Sequence, residues 1–536
     1  MKSLLASIPV LLVLASCGGG DGGDTGTPNN PPVPPPTSTP PPSVTLEASP
    51  QRIAALESTV LTWTSSNAAS CVASDDWTGS KATSGTEASG ALDATATFVL
   101  ACTGAGGTTS VSVTVEVDAV AGTPRFPLHV EDRHLVDAAG NPFLVQGDSA
   151  WSLIAQLNRE DTQTYLDDRK ARGFNTLLIS LVEHRFASRA PANIYGDAPF
   201  VRAGDFSTPN EAYFEHADWV LNRARQMGFL ILLTPAYLGF DGGAEGWYAD
   251  LSGASDATLT NYGRFVGARY GSLGNIVWVH GGDYDPPQRR VVRLIAAGVA
   301  AVDAIGLATA HGAPETAPGE FWRGEAWLSF DNVYSYNAID AQAKAAYQRL
   351  PTRPFILIET AYENEHGTTG KSIRTAAYTA LLEGAAGNVF GNNPIWHFNS
   401  PTGPGSNGTQ WKTALGQPGS TSMTRLWSVI GALRWWTLEP ATDRVMTSGA
   451  APGGVAALAR DRDFALAYLP STRTIRVDLG LLAGPSVAAT WINPANGTRT
   501  GAPGSPLAAG ASQSLTPPAS GNPDGDWVLL LESQAR

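Results

Sequence analysis

Two stretches of this chain run an apolar segment into acidic groups. "NIVWVHGGDYDPP" (Asn275 to Pro287) carries Ile276, Val277, Trp278 and Val279 into His280, two glycines, Asp283 and Asp285. "RPFILIETAYE" (Arg353 to Glu363) closes a similar run with Glu359, Tyr362 and Glu363. Hydrolysis of a glycosidic bond needs two carboxyl groups that face each other. One is protonated and helps the leaving oxygen depart; the other attacks the anomeric carbon or activates a water. A glutamate closing a buried strand is seldom idle, because a buried carboxylate needs a partner. On this reading Asp283 is the acid/base and Glu359 the nucleophile.

Such residues meet only if their strands share a sheet. From about residue 123 to Pro440 the chain alternates strand-like and helix-like segments. "FLVQGDSAW", "FNTLLISLVEH" and "FLILLTPAY" are followed by the first stretch above as strand four. "LATAHG", "DNVYSYNAI", "RPFILIETAYE" and "NVFGNNPIWHF" supply strands five to eight. Their continuous apolar runs fit parallel strands buried on both faces. Between them lie helices such as "NREDTQTYLDDRKARG", with Asn158 as N-cap and Gly173 as stop, and "NEAYFEHADWVLNRARQMG", which stops at Gly228. A closing helix is expected near Met423 to Trp436. Eight units predict a (β/α)8 barrel, the TIM-barrel architecture; an open doubly wound sheet is disfavoured because no G-x-G-x-x-G follows the first strand.

Reactive groups in such a barrel sit at the C-terminal ends of strands. Those ends carry Asp148 and Trp151, then Glu183, His184 and Arg185, then Tyr237. His280, Asp283 and Asp285 follow, then His311, Tyr336, Glu359 with Tyr362 and Glu363, and finally Trp396 and His397. Trp151, Tyr362 and Trp396 suit stacking on sugar faces, and His184, His280 and His311 suit bonds to hydroxyls. Asp148, Tyr237 and Tyr336 complete the expected substrate contacts. Asp285 and Glu363 read as supporting or solvated groups. The Gly/Ser-rich stretch from Asn399 to Met423 is expected to border the cleft.

The chain has 536 residues, 43% hydrophobic, with a net charge of -13. That is length for several domains, and the acidity argues against nucleic-acid binding. No cofactor motif is read, and a monomer is expected. "MKSLLASIPVLLVLASC" has the form of a secretory signal over residues 1–16, too short to span a bilayer. "LASC" (Leu14 to Cys17) resembles the lipobox of bacterial lipoproteins. That resemblance implies lipidation of Cys17 and, with no Asp following, an outer-membrane or cell-surface address. Residues 17–43 read as a Gly/Pro-rich tether. Residues 44–118 are short Thr- and Val-rich strands of a small sandwich resembling bacterial immunoglobulin-like modules, more a spacer than a sugar binder. Export allows Cys71 and Cys102 to pair. Residues 442–536 read as a second β-sandwich.

"PLHVEDRHLVDAAGNPFLVQGDSAWSL", "GNIVWVHGGDYDP" and "RPFILIETAYEN" resemble the apiosidase-like glycoside hydrolases over about Pro124 to Pro440. The resemblance implies removal of apiose from complex pectin, with the catalytic pair on Asp283 and Glu359. "WINPANG" in the last sandwich is similar to a module named for collagen binding. Retaining barrels usually end strand four with Asn-Glu, where this chain has Gly282-Asp283. Retention is expected, with the carboxyl separation deciding: roughly 5–5.5 Å for retention and 6.5–9.5 Å for inversion. Two other readings stay open. One is a non-catalytic surface lipoprotein that captures glycans, or adheres to host protein through its last module. The other is a metal site built from His280, Asp283, Asp285 and His311, against which stands the lack of an H-x-x-x-H spacing.

Overall fold

The computed structural model describes residues 39–54, 58–90, 92, 96–118, 124–400 and 408–534. The expected signal segment, Cys17, most of the tether and residues 401–407 of the stretch after strand eight lie outside them. The chain divides into two compact units, Met1–Ala119 and Val120–Arg536.

The first unit has two small sheets. Ser43–Ser49, Val60–Ser66 and Ser84–Ala88 form one, all antiparallel. Arg52–Ala54, Gly107–Asp118, Ala96–Gly104, Ser70–Asp75 and Gly79–Lys81 form the other. Alternation selects the core: Ala96, Phe98, Leu100 and Cys102 point inward from one strand and meet Leu61, Trp63 and Val115. Cys71 and Cys102 stand directly opposite in register and are joined by a disulfide, as export had suggested. Closing 31 residues of chain stabilises the unit by about 3–4 kcal/mol on the loop-entropy model. Trp63 and Trp77 are core residues in edge contact, not an exposed sugar platform.

The second unit contains the barrel. Its strands are β1 (Val145–Ser149), β2 (Thr176–Ser180), β3 (Leu230–Thr234), β4 (Ile276–Gly281), β5 (Leu307–His311), β6 (Asp331–Tyr334), β7 (Phe355–Glu359) and β8 (Gly387–Phe390). All pairings are parallel, in the order β5-β4-β3-β2-β1-β8-β7-β6. At the β5–β6 seam a side chain bridges the strands: Asn332 Nδ2 donates to Thr309 Oγ1 (2.9 Å) and to the Ala310 carbonyl (2.7 Å). The result is the (β/α)8 TIM barrel read from the sequence.

The outer helices include α1 (Arg159–Ala171), α2 (Glu211–Gln226), α3 (Asp256–Tyr270), α4 (Arg290–Ala300), α5 (Ile339–Gln348), α6 (Gly370–Leu382) and α7 (Pro418–Ile430). Asn158 caps α1 by accepting from the Asp161 amide at 2.8 Å, and Gly173 follows the helix at a φ of 84°. The closing helix α7 begins at Pro418 and ends at Ile430, earlier at both ends than expected. Proline at its first position starts it without losing a backbone bond. Of the stretch expected to border the cleft, residues 408–423 instead build the barrel wall. Trp411 is buried against Phe398, and Met423 is fully buried.

After Pro440 the chain forms a sandwich whose larger sheet includes Val455–Ala459, Phe464–Leu469, Ser486–Ile492 and Trp527–Gln534. It packs on α6. Arg374 of that helix is 1% exposed and holds Asp526 through two bonds of 2.7 Å, with Asp524 at 2.6 Å. The rings of Tyr378 and Tyr468 stack at 5.0 Å, and the hydroxyls of Thr375 and Tyr468 bond at 2.7 Å. The sandwich and the barrel therefore share buried polar bonds and a continuous apolar core.

Candidate active site

Asp283 follows β4 in a left-handed backbone conformation, φ 46°. The two glycines before it explain how. Gly281 and Gly282 also have positive φ, 97° and 136°. A Cβ on Gly281 would sit 2.5 Å from the His311 carbonyl oxygen, and one on Gly282 would sit 2.4 Å from the Tyr237 ring. Only glycine lets the chain turn so sharply between β5 and Tyr237, and the turn delivers Asp283 over the barrel mouth. The Tyr237 hydroxyl then donates to Asp283 Oδ2 at 2.6 Å.

Glu359 reaches the same place by an irregularity. Along β7, Phe355 and Leu357 pack outward with Ala343 and Ala346 of α5 and with Ala376 and Ala380 of α6. Strict alternation would point Glu359 outward too. The β6–β7 register shifts between Val333 and Tyr334, so that Tyr334 pairs with Glu359 rather than Ile358. Such a shift re-aims the side chain, and Glu359 turns into the barrel.

His311 ends β5 on its inward face and lies between the two acids. Its Nδ1 accepts from the Asp283 backbone N–H at 3.2 Å, so its Nε2 carries the proton and donates to Glu359 Oε2 at 2.9 Å. One ligand atom from each of Asp283, His311 and Glu359 lies within 4.8 Å of the others. Both ring nitrogens are engaged, which leaves His311 no lone pair for a metal. Burial, then repulsion from Asp283, raises the Glu359 carboxyl above the ordinary glutamate range; the His311 and Tyr362 bonds act the other way. Burial also disfavours a charged His311, but the Glu359 bond and the two nearby carboxylates outweigh it and raise its pKa.

Above the pair opens a cavity of about 190 Å³, lined by Asp283, Glu359, Trp151, His184, Tyr237, Tyr336, Tyr362 and Trp396 among others. Aromatic rings form its walls. Phe186 contacts Trp396 edge-on at 5.0 Å, and Trp151 lies 5.7 Å from Tyr237. The Trp151 indole donates to the Tyr362 hydroxyl at 2.9 Å, and the Trp396 indole to Glu365 at 3.1 Å. Rings fixed in this way offer flat faces to a sugar without further ordering cost.

Three residues expected to touch substrate do not line the cavity. Asp148 is fully buried on the helix side of β1, where it accepts from Tyr165 of α1 (2.7 Å) and pairs with Arg169 (3.3 Å). His280 lies on the helix side of β4 with Val291, Val292 and Ile295 of α4; burial lowers its pKa to about 3, so it is neutral. The physical reason is shared: with a period of two, positions 148 and 280 face the helices. His311 faces inward but is 1% exposed beneath the carboxyls, where it bonds the Asp283 backbone and Glu359 instead of lining the cavity. Asp285 accepts from Ala313 N and Thr316 Oγ1, and Glu363 from Gly419 N and Asn392, which makes both supports.

The cavity also holds Phe186, Phe240, Glu365 and Glu183, none of them among the expected contacts. Glu183 had a signal, an acid at the end of strand two. It is 5% exposed; Ser152 Oγ donates to its Oε1 at 3.0 Å, and the backbone N–H groups of Phe186 and Ala187 also bond to its carboxyl. Burial raises its pKa to about 7 from 4.5. An acid whose pKa is higher in the folded state contributes stability that is present below the unfolded value and lost as pH rises through the folded one. Glu183→Gln should therefore be the more stable protein at pH 8 by roughly 3 kcal/mol relative to its difference at pH 4. Denaturant unfolding of both proteins at the two pH values checks this, and parallel curves would remove the assigned shift.

A cavity with facing carboxyls and aromatic walls, set at the C-terminal ends of barrel strands, has what cleavage of a glycosidic bond requires. The protein is a glycoside hydrolase. Residues 129–437, more than half of the chain, match the family model described as "Apiosidase-like, catalytic domain", and the chain belongs to that family. A model named for the collagen-binding domain of a collagenase matches residues 445–532. A solved structure described as "Glycoside hydrolase" superposes with a TM-score of 0.68 at 21% identity, over 77% of this chain and 99% of the other. A glycoside hydrolase family 5 structure from Bacteroides vulgatus ATCC 8482 does so with a TM-score of 0.67 at 21% identity, over 76% and 93%. At such identity the likeness concerns the fold. No curated protein matches by sequence.

Proposed function

We propose that this enzyme removes a terminal sugar from plant or microbial polysaccharide, pectic side chains in the first instance, with retention of configuration. The observation that carries this reading is the approach of the Asp283 and Glu359 oxygens to within 4.8 Å. Acids that approach this closely favour the shorter, retaining spacing over the longer, inverting one. Glu359 receives bonds from His311 and Tyr362, which oppose the rise that burial gives its pKa and fix its direction of attack. Asp283 is the more exposed of the two, with a side chain 17% accessible against 7%. That suits the group that must exchange protons with leaving group and water.

The steps follow. Glu359 attacks the anomeric carbon as the glycosidic C–O bond breaks, and Asp283 gives its proton to the departing oxygen. The Asp283 carboxylate then takes a proton from an entering water, which displaces Glu359 from the sugar and releases it free to react again. Incubation with soluble pectin, identification of the released sugar and proton NMR of the first anomer formed test the reading. Binding without release would move the protein to glycan capture, and an inverted first product would exclude Glu359 as nucleophile.

The same reading takes the chain to the cell surface. Residues 1–16 act as a lipoprotein signal, Cys17 carries the lipid, and residues 17–43 hold the enzyme off the membrane. Incorporation of labelled fatty acid that Cys17→Ala abolishes supports the anchor; labelling that persists overturns it.

A further inference from the structure

A second, larger cavity adjoins the first. It measures about 660 Å³ and runs between α5, α6 and the loops of the last sandwich. Tyr336 is 44% exposed and lines both cavities. The loop after β7 also serves both, with Tyr362 on the active-site side and Thr360 on the other. We infer that this groove binds the glycan chain to which the cleaved sugar is attached, and that the sandwich is there to form its second wall. The inference rests on the glycosidase reading above and names where the rest of the substrate lies.

Size gives the first argument. A cavity of about 190 Å³ is smaller than the ~300–1,000 Å³ of an ordinary ligand cleft and fits one sugar unit. The chain beyond that unit must leave by the mouth, and Tyr336 stands where the mouth becomes the groove. Lining chemistry gives the second. Hydroxyls of Thr360 and Thr368 share the lining with the charged groups of Asp340, Lys344, Lys371 and Asp443 and with small apolar residues such as Ala451. Sugars present the same mixture of hydroxyl edges and C–H faces.

Rigidity gives the third. Helix α6 contributes Ser372 and Thr375 to the groove and, one turn on from Lys371, the Arg374 that grips Asp526 of the sandwich. A fully desolvated ion pair is a costly means of adhesion but a directional one. Here it holds the two walls at a fixed spacing, so the chain meets a preformed site and little binding energy goes into ordering the protein.

The test uses the full-length protein carrying Glu359→Gln, run by native electrophoresis in gels containing soluble plant pectin and, separately, gelatin. Retardation by pectin is expected. Adding Ala451→Trp or Asp443→Trp, both at exposed groove positions, should weaken it at least about fivefold in apparent Kd while the thermal midpoint stays with the parent. Undiminished retardation of both variants overturns the groove, and so does retardation by gelatin alone. Sugar release from the same pectin by the unsubstituted enzyme separates the two claims. Release without retardation removes the groove and keeps the glycosidase; neither release nor retardation removes both.

Discussion

Glu359→Gln is expected to fold as the parent does and to lose at least about 10⁴-fold in kcat, a loss on the scale of removing a nucleophile from a concerted site. Asp283→Asn should lose about 10²–10⁴-fold on a natural glycan, and much less on an activated aryl glycoside whose leaving group needs no proton. Azide distinguishes the roles further. With Asp283→Ala it should enter after the glycosyl-enzyme forms and give a glycosyl azide of retained configuration. With Glu359→Ala it should attack directly and give the inverted azide. Exchange of these two outcomes would exchange the residues' roles. Near-normal turnover in either amide variant would end the carboxyl-pair account.

Loss of Arg374 should be a large blow to stability. Arg374→Ala leaves Asp526, which is fully buried, with only the Tyr468 hydroxyl (2.9 Å) and Asn522 beside it. Removing one partner of a buried ion pair costs about 3–5 kcal/mol, since the remaining charge is stranded without water. The double variant Arg374→Met, Asp526→Leu should recover most of that loss, because apolar replacements need no hydration. Denaturant midpoints for the parent, the single variant and the double variant decide the matter. A double variant no more stable than the single would show that the pair does more than orient the sandwich.

Much of this was legible from residue order. The runs in β2, β3 and β4 are apolar at nearly every position, which marks parallel strands buried on both faces. Asn158, Gly173 and Gly228 mark helix ends through local backbone chemistry that needs no neighbour. Asp283 and Glu359 were legible because each is an acid at the end of such a run. Trp151, His184, Tyr237, Tyr336, Tyr362 and Trp396 all line the cavity, since a loop that follows a barrel strand has little choice but to open on the mouth.

The tertiary structure decided which way each strand-end group points. Residue type alone made Asp148 and His280 as eligible as their neighbours, but the pleat turns both toward the helices, where Arg169 and the apolar face of α4 receive them. By the same pleat Glu359 belongs outside; the shifted register with β6 brings it in. His311 met the composition of a substrate ligand and became instead the bridge between the acids, because both of its nitrogens are already occupied. A sequence fixes period and propensity, which are properties of neighbours along the chain. Register and facing arise from the match between strands far apart in it, and only their packing together selects one.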